Sequence, residues 1–285
     1  MTPCVLTLAV HEALLAARAG GGGAVTCSLD LGRSTETVDA GAHGWRRGDS
    51  TYPYLDTCKD RTIYAWNGTA FETAARFGAG GLIKLVPTDW GAPTFEIDGI
   101  KMLPTAQVSP VADAERKVDL VSPRGATVLD TCGGLGYFAV AALRAGAARI
   151  VSFEKNPDVI WLRGLNPWSP DLRDPANAAL QLTPGDVTAH IGALPAASFD
   201  AVLHDPPRFG IAGELYSQAF YDQLARVLRP RGRLFHYTGS PNKLTSRRDV
   251  PREVATRLQK AGFSTRLEGD GVVAVKGGPA GRGSR

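Results

Sequence analysis

The stretch Val128-Leu129-Asp130-Thr131-Cys132-Gly133-Gly134-Leu135-Gly136-Tyr137-Phe138-Ala139 ends an apolar run on an acid and then enters a glycine-rich turn. Glycines let a backbone turn sharply and come close to a ligand. A helix opening at such a turn adds free N–H groups and about half a positive charge. Gly134 to Ala139 fits the G-x-G-x-x-A spacing of dinucleotide sites, and Glu154 stands where a ribose-binding acid is expected. Hydride transfer with NAD is therefore one reading. Asp130 weighs against it, because a carboxylate repels the pyrophosphate that this turn would cradle. The same carboxylate attracts S-adenosylmethionine, which has no phosphate and carries an ammonium and a sulfonium. Opposite unit charges about 4 Å apart attract by roughly 4 kcal/mol at an effective dielectric of about 20, before desolvation.

Glu154 closes a second apolar run, Ile150-Val151-Ser152-Phe153-Glu154-Lys155. A carboxylate there can accept two hydrogen bonds from ribose hydroxyls, each contributing on the order of 1.5–3 kcal/mol. A surface acid paired with Lys155 or Arg149 is the plainer alternative. A third cluster, His204-Asp205-Pro206-Pro207-Arg208-Phe209-Gly210, follows another apolar run. Two prolines stiffen that loop and remove two N–H donors. Asp205 can then take a proton from, or orient, a nitrogen or oxygen nucleophile, with His204 and His236 as other bases. Each histidine reads equally as a core residue whose ring is simply hydrogen-bonded. Cys132 lacks an obvious base and reads as a small residue fitting a tight turn.

These motifs, in this order, resemble class I S-adenosylmethionine-dependent methyltransferases from about residue 113 to the end. More narrowly, residues 129–137, Glu154-Lys155-Asn156-Pro157 and Leu165-Asn166-Pro167-Trp168-Ser169 resemble a poorly characterised group of predicted methyltransferases best known from archaea. That likeness extends to Ser28-Leu29-Asp30-Leu31-Gly32 and Lys84-Leu85-Val86-Pro87-Thr88. The resemblance implies a cofactor site of Asp130, Cys132, Gly133, Gly134, Gly136, Glu154, Lys155, Asp186 and Asp205. Cys132 stands where the family's first glycine usually lies. By analogy Asp186 would meet the adenine amino group; as a turn residue it reads as a helix N-cap. The Asp-Pro-Pro loop resembles that of amino-group methyltransferases, but Arg208 replaces the stacking aromatic. Phe209 or Tyr216 can take that place, or Arg208 can bind an anionic substrate.

The elements that must hold these residues follow from periodicity. Residues 5–18 read as a short amphipathic helix stopped by the glycines at 20–23. Residues 25–31, 62–66, 82–86 and 94–97 read as strands, with a hairpin at Asp98-Gly99. Helix is expected over 113–121, 135–145, 158–165, 213–228 and 249–261. Strands are expected over 127–130, 149–154, 179–183, 199–204 and 233–237, and a closing hairpin over 263–275. This alternation implies a parallel sheet covered on both faces. The expected fold is α/β: a Rossmann-like, doubly wound seven-stranded sheet with an antiparallel C-terminal edge, preceded by a small β-rich domain. The expected divisions are an N-terminal helix (1–21), the β-rich domain (22–105), the methyltransferase domain (106–276) and a disordered tail (277–285).

At 285 residues, 44% hydrophobic and 21% charged, the chain has the composition of an ordinary globular protein. Its net charge of +4 permits a nucleic-acid partner without requiring one. Cys4, Cys27, Cys58 and Cys132 form no CxxC pair, so neither a zinc site nor a secreted disulfide framework is expected. The apolar opening is too short and too charged to span a membrane, and a cytoplasmic location is the default. The expected activity is methyl transfer from S-adenosylmethionine to a nitrogen or oxygen of a small molecule, an RNA or a protein. Aminopropyl transfer of the spermidine synthase kind, and an RNA-binding module with a vestigial pocket, are the alternatives.

Overall fold

The computed structural model describes residues 4–78, 80–207, 210, 212–239 and 249–278. The chain forms two compact units: Met1–Val111 with Asp158–Ser169, and Ala112–Pro157 with Pro170–Arg285.

The first unit is built from one N-terminal helix and short antiparallel strands. The helix Leu8–Ala19 ends at Gly20, whose N–H returns to the Ala16 carbonyl. Gly21, Gly22 and Gly23 then take φ of 96°, 96° and 134°, backbone that side chains resist. The expected hairpin forms, with Asp98 and Gly99 both at positive φ between Thr94–Ile97 and Ile100–Lys101. The strands Glu36–Ala40, Trp45–Arg47 and Ser50–Tyr52 were not visible as apolar runs. Each buries alternate residues only, among them Val38, Trp45 and Tyr52. Trp45 is fully buried and stacks on Tyr52 at 4.5 Å and Phe71 at 6.1 Å between ring centroids.

The helix Pro157–Leu165 and the turn after it lie almost wholly in this first unit, although the sequence pattern grouped them with the α/β alternation. Side chains supply the reason. Arg76 pairs with Asp158 at 2.5 Å and lies over the Trp161 ring. Trp168 Nε1 donates to the Leu31 carbonyl at 3.0 Å, and Arg33 donates to the Pro167 carbonyl. Asp30 fixes the receiving loop, accepting from the Ser28 hydroxyl and from the Ser34 N–H and hydroxyl. Two motifs far apart in sequence are thus one structural joint.

The second unit carries a seven-stranded sheet, whose strands are β1 Thr127–Asp130, β2 Arg149–Glu154, β3 Leu180–Pro184, β4 Phe199–His204, β5 Leu228–Tyr237, β6 Phe263–Glu268 and β7 Gly271–Lys276. Their order is β3-β2-β1-β4-β5-β7-β6, parallel through β5 and antiparallel beyond it. This is the expected Rossmann-like α/β sheet with its antiparallel edge. Its inner strands are apolar because both faces are covered: Val128, Leu129, Ile150, Val202, Leu203 and Leu234 have no exposed surface.

Two expected elements differ in detail. The long helix over 213–228 divides into a 3-10 turn, Gly213–Tyr216, and the helix Gln218–Val227. Ser217 between them is extended and its hydroxyl accepts the Phe220 N–H, a standard N-cap. Strand β5 begins five residues early, where the pairing with β4 shifts from Phe199–Leu228 to Ala201–Arg233 and Arg231 takes φ 65°. The regular part of β5 matches the expected 233–237. Among the described residues, no helix is long and apolar enough to cross a membrane.

Candidate cofactor and acceptor site

The glycine turn sits at the C-terminal end of β1, the edge where open α/β sheets bind ligands. It is tied to both neighbouring strands. Thr131 N–H donates to the Leu203 carbonyl on β4 at 3.1 Å, and Gly133 N–H to the Phe153 carbonyl on β2 at 2.7 Å. Gly134 and Gly136 take φ of 48° and 87°, and Gly136 caps the helix Tyr137–Arg144. A side chain at Gly136 would be held in strained backbone.

The structure brings Glu154 directly onto this turn. One carboxylate oxygen accepts the Gly134 N–H at 2.8 Å and the other accepts the Asn156 N–H at 2.8 Å. The two acids of the sequence motif behave differently. Asp130 has no exposed surface, and its Oδ2 accepts the Ser152 hydroxyl at 2.8 Å. The register places those two residues side by side, and the hydroxyl captures the carboxylate. Asp130 ends β1 directly before the glycine turn, so its charge lies beside that turn. Cys132, in the turn itself, is partly buried and packs against the hydrophobic core of the second unit. Burial first, then the Glu154 charge, pushes its thiol well above the ordinary value.

Asp186 is the N-cap of the short helix Val187–His190, accepting the Thr188 N–H at 2.9 Å and hydroxyl at 2.8 Å. Burial pushes its carboxyl up, but the Thr188 bonds and Lys155 together outweigh burial and leave it below the ordinary value. Lys155 is half exposed and lies 3.4 Å from Asp186 and 3.7 Å from Glu214. Both therefore stand at the rim in roles that a capped helix and a surface pair explain.

On the β4 side, His204 and His236 are fully buried, with rings 4.3 Å apart. His204 Nε2 faces the Leu215 carbonyl at 3.1 Å, so it carries the proton, and Nδ1 accepts the Thr131 hydroxyl at 2.6 Å. His236 Nδ1 faces the Tyr237 carbonyl at 2.7 Å and Nε2 accepts the Tyr221 hydroxyl at 2.9 Å. Burial lowers His204 to about 4 and, with His204 beside it, lowers His236 well below its ordinary value. Both rings are buried, with a hydrogen-bond partner at each nitrogen. Arg208 and Phe209 lie outside the described residues. Tyr216 is buried and its hydroxyl donates to the Pro207 carbonyl at 3.1 Å. That bond ties the 3-10 turn Gly213–Tyr216 to the proline loop.

Asp205 keeps 20% of its side chain exposed. Behind it lies a group the sequence did not single out. Lys117, on the helix Pro110–Asp119, is 1% exposed, and its ammonium is 2.7 Å from Asp113, 3.6 Å from Asp205 and 3.9 Å from Asp270. Burial pushes the Asp205 carboxyl up; Lys117 opposes this, and Asp113 and Asp270 add to it. The net shift is upward. The Asp113–Lys117 spacing looks like any i,i+4 pair on a solvated helix face, and Asp270 looks like any turn acid. Only the antiparallel edge, which carries Asp270 back to that helix, reveals the cluster.

The fold and this edge define a Rossmann-like α/β protein with a carboxylate-flanked glycine turn. No family model matches the chain. It is 44% identical over 214 residues to uncharacterized protein MJ1233 of Methanocaldococcus jannaschii, covering 74% of this chain and 72% of that protein. The chain belongs to the family of that archaeal protein. It is also 36% identical over 119 residues to polyamine aminopropyltransferase 2 of Streptomyces coelicolor, covering 40% of this chain and 22% of that protein. The crystal structure of spermidine synthase from Thermotoga maritima superimposes with a TM-score of 0.55 at 16% identity, covering 74% of this chain and 76% of that one. That likeness is one of fold.

Proposed function

We propose that the second unit binds S-adenosylmethionine across β1 and β2 and transfers its methyl group to a nitrogen or oxygen of an acceptor. The observation that carries this is the Gly134 N–H donated to Glu154 at 2.8 Å. In a phosphate-binding turn that N–H would point at the anion. Here a carboxylate already holds it, and a pyrophosphate would be repelled. The carboxylates at positions 130 and 154 fit a cationic nucleoside without phosphate, with Glu154 at its ribose. Bound S-adenosylmethionine supplies an electrophilic methyl group on sulfonium, so positioning accounts for much of the rate. Asp205 Oδ2 faces Lys117; Oδ1 is the oxygen left to receive the proton that the acceptor nitrogen or oxygen loses.

Aminopropyl transfer is the second reading, favoured by the 36% identity to an aminopropyltransferase over 119 residues. Calorimetry separates the two. S-adenosylmethionine and S-adenosylhomocysteine are expected to bind, and Glu154→Ala is expected to weaken both at least about a hundredfold, the loss of two charged hydrogen bonds. Tighter binding of decarboxylated S-adenosylmethionine would move the assignment to aminopropyl transfer. Binding of NADH with no affinity for either sulfur nucleoside would sink both readings.

A further inference from the structure

The charges around Asp205 are unevenly shared. Asp113 and Asp270 each contact two cations: Lys117, and Arg116 at 3.0 and 2.8 Å respectively. Asp205 has one cation within 4 Å among the described residues, the ammonium of Lys117. That ammonium has almost no exposed surface, while Asp205 and Asp270 keep 20% and 22% of theirs. The face of Tyr237, 4.1 Å from Nζ to the ring centroid, and that of Phe138 at 5.8 Å complete its surroundings. A lysine so buried persists only when paired, and aromatic faces add to the pairing. The helix Pro110–Asp119, the end of β5 and the β6–β7 turn all contribute to it.

We infer that Lys117 determines acceptor specificity: its ammonium takes, from the protein side, the position beside Asp205 that a charged acceptor amine would need, so the site accepts an uncharged nucleophile. Three carboxylates without Lys117 would form a strong trap for alkylammonium ions. With Lys117 and Arg116 present, the five groups carry a single net negative charge, and Asp205 is already matched. A cationic acceptor would meet a like charge 3.6 Å behind the carboxylate it sought. The lysine matches Asp205 at Oδ2 from within the protein and leaves Oδ1 for a neutral N–H or O–H. The identity of this position as the acceptor side rests on the cofactor reading above; the charge exclusion itself does not.

The test uses the full chain and n-butylamine hydrochloride as a monocationic probe, followed by NMR titration. Lys117→Met keeps the apolar stem and removes the charge. It is expected to bind the probe at least tenfold more tightly than the natural protein does, and Lys117→Met with Asp205→Asn is expected to lose that gain. Lys117→Arg, which keeps the charge, should behave as the natural protein does. Equal binding to natural protein and Lys117→Met, or a gain that survives Asp205→Asn, would overturn the inference. If Lys117→Met does not fold, Lys117→Met with Asp113→Asn restores the helix's charge balance and is read in the same way. S-adenosylhomocysteine is titrated in parallel. Its failure to bind the natural protein would sink the cofactor reading while the amine comparison still decides the role of Lys117.

Discussion

The two units arrange their buried rings and polar groups differently. The first closes its core with aromatic rings brought together by short antiparallel strands: Trp45, Tyr52, Trp66 and Phe71 touch in a continuous cluster. The second mixes aliphatic side chains with Phe153, Phe199, Phe220 and Tyr221, and buries Asp113, Lys117, Asp130, Thr131, Ser152, His204 and His236, where the first buries His11, Thr94, Glu96, Arg163 and Asn166. Packed rings need only shape, whereas buried polar groups need partners with fixed geometry. A protein tolerates such demanding groups where they serve a site. The contrast is therefore one of clustering: the second unit gathers Asp113, Asp205 and Asp270 around Lys117 and sets His204 against His236.

The largest expected effect attacks the aromatic side of this contrast. Trp45→Ala is expected to destabilise the first unit by about 3–5 kcal/mol, read as a lowered urea midpoint. All five tryptophans, 45, 66, 90, 161 and 168, belong to that unit, so indole emission follows it alone. An unchanged midpoint would mean that the stacked rings are not its core.

Acid should strike the other side first. The folded proton affinities of His204 and His236 lie below the unfolded value near 6.5, so the unfolded chain binds more protons as pH falls. Stability is fully present above about 6.5 and is lost as pH falls toward 4, on the order of 3 kcal/mol from His204. His11 in the first unit shifts in the same direction, also through burial. The comparison is sharpened by recording helix ellipticity and indole emission together between pH 7 and 4. Loss of ellipticity ahead of the indole shift is expected; the reverse order would break the contrast.

A smaller effect tests the rim itself. Asp186→Ala removes an N-cap and is expected to cost about 1 kcal/mol while leaving S-adenosylhomocysteine affinity within about threefold. A loss comparable to that of Glu154→Ala would return Asp186 to the adenine role. Smallest is Ser217→Ala, which removes the cap at the start of Gln218–Val227 and should lower stability by roughly 0.5–1 kcal/mol without affecting any ligand.

Much of the second unit was legible because parallel strands are apolar runs and the turn between β1 and its helix is spelled in glycines. The limits of β5 were less so, since Pro230 and the positive φ of Arg231 mark a bulge that pairs as strand. In the first unit, half-buried strands such as Glu36–Ala40 show too little periodicity in five residues to announce themselves. At the candidate site, the placement of Glu154 against the glycine turn was readable from its spacing. That Asp130 would be captured by Ser152 depended on register, and Lys117 was hidden because its partners come from residues 113, 205 and 270. Local sequence does not encode which acids a fold will gather.

The excursion of Asp158–Ser169 into the first unit makes both units discontinuous in some measure. A gene fragment ending at residue 111 would lack the indole of Trp168 that closes onto Leu31. During synthesis the amino-terminal unit cannot be finished until the ribosome has passed residue 169, by which time β1 and β2 have already been synthesised. The polypeptide is stitched so that neither half can be inherited, shuffled or expressed as a simple cassette.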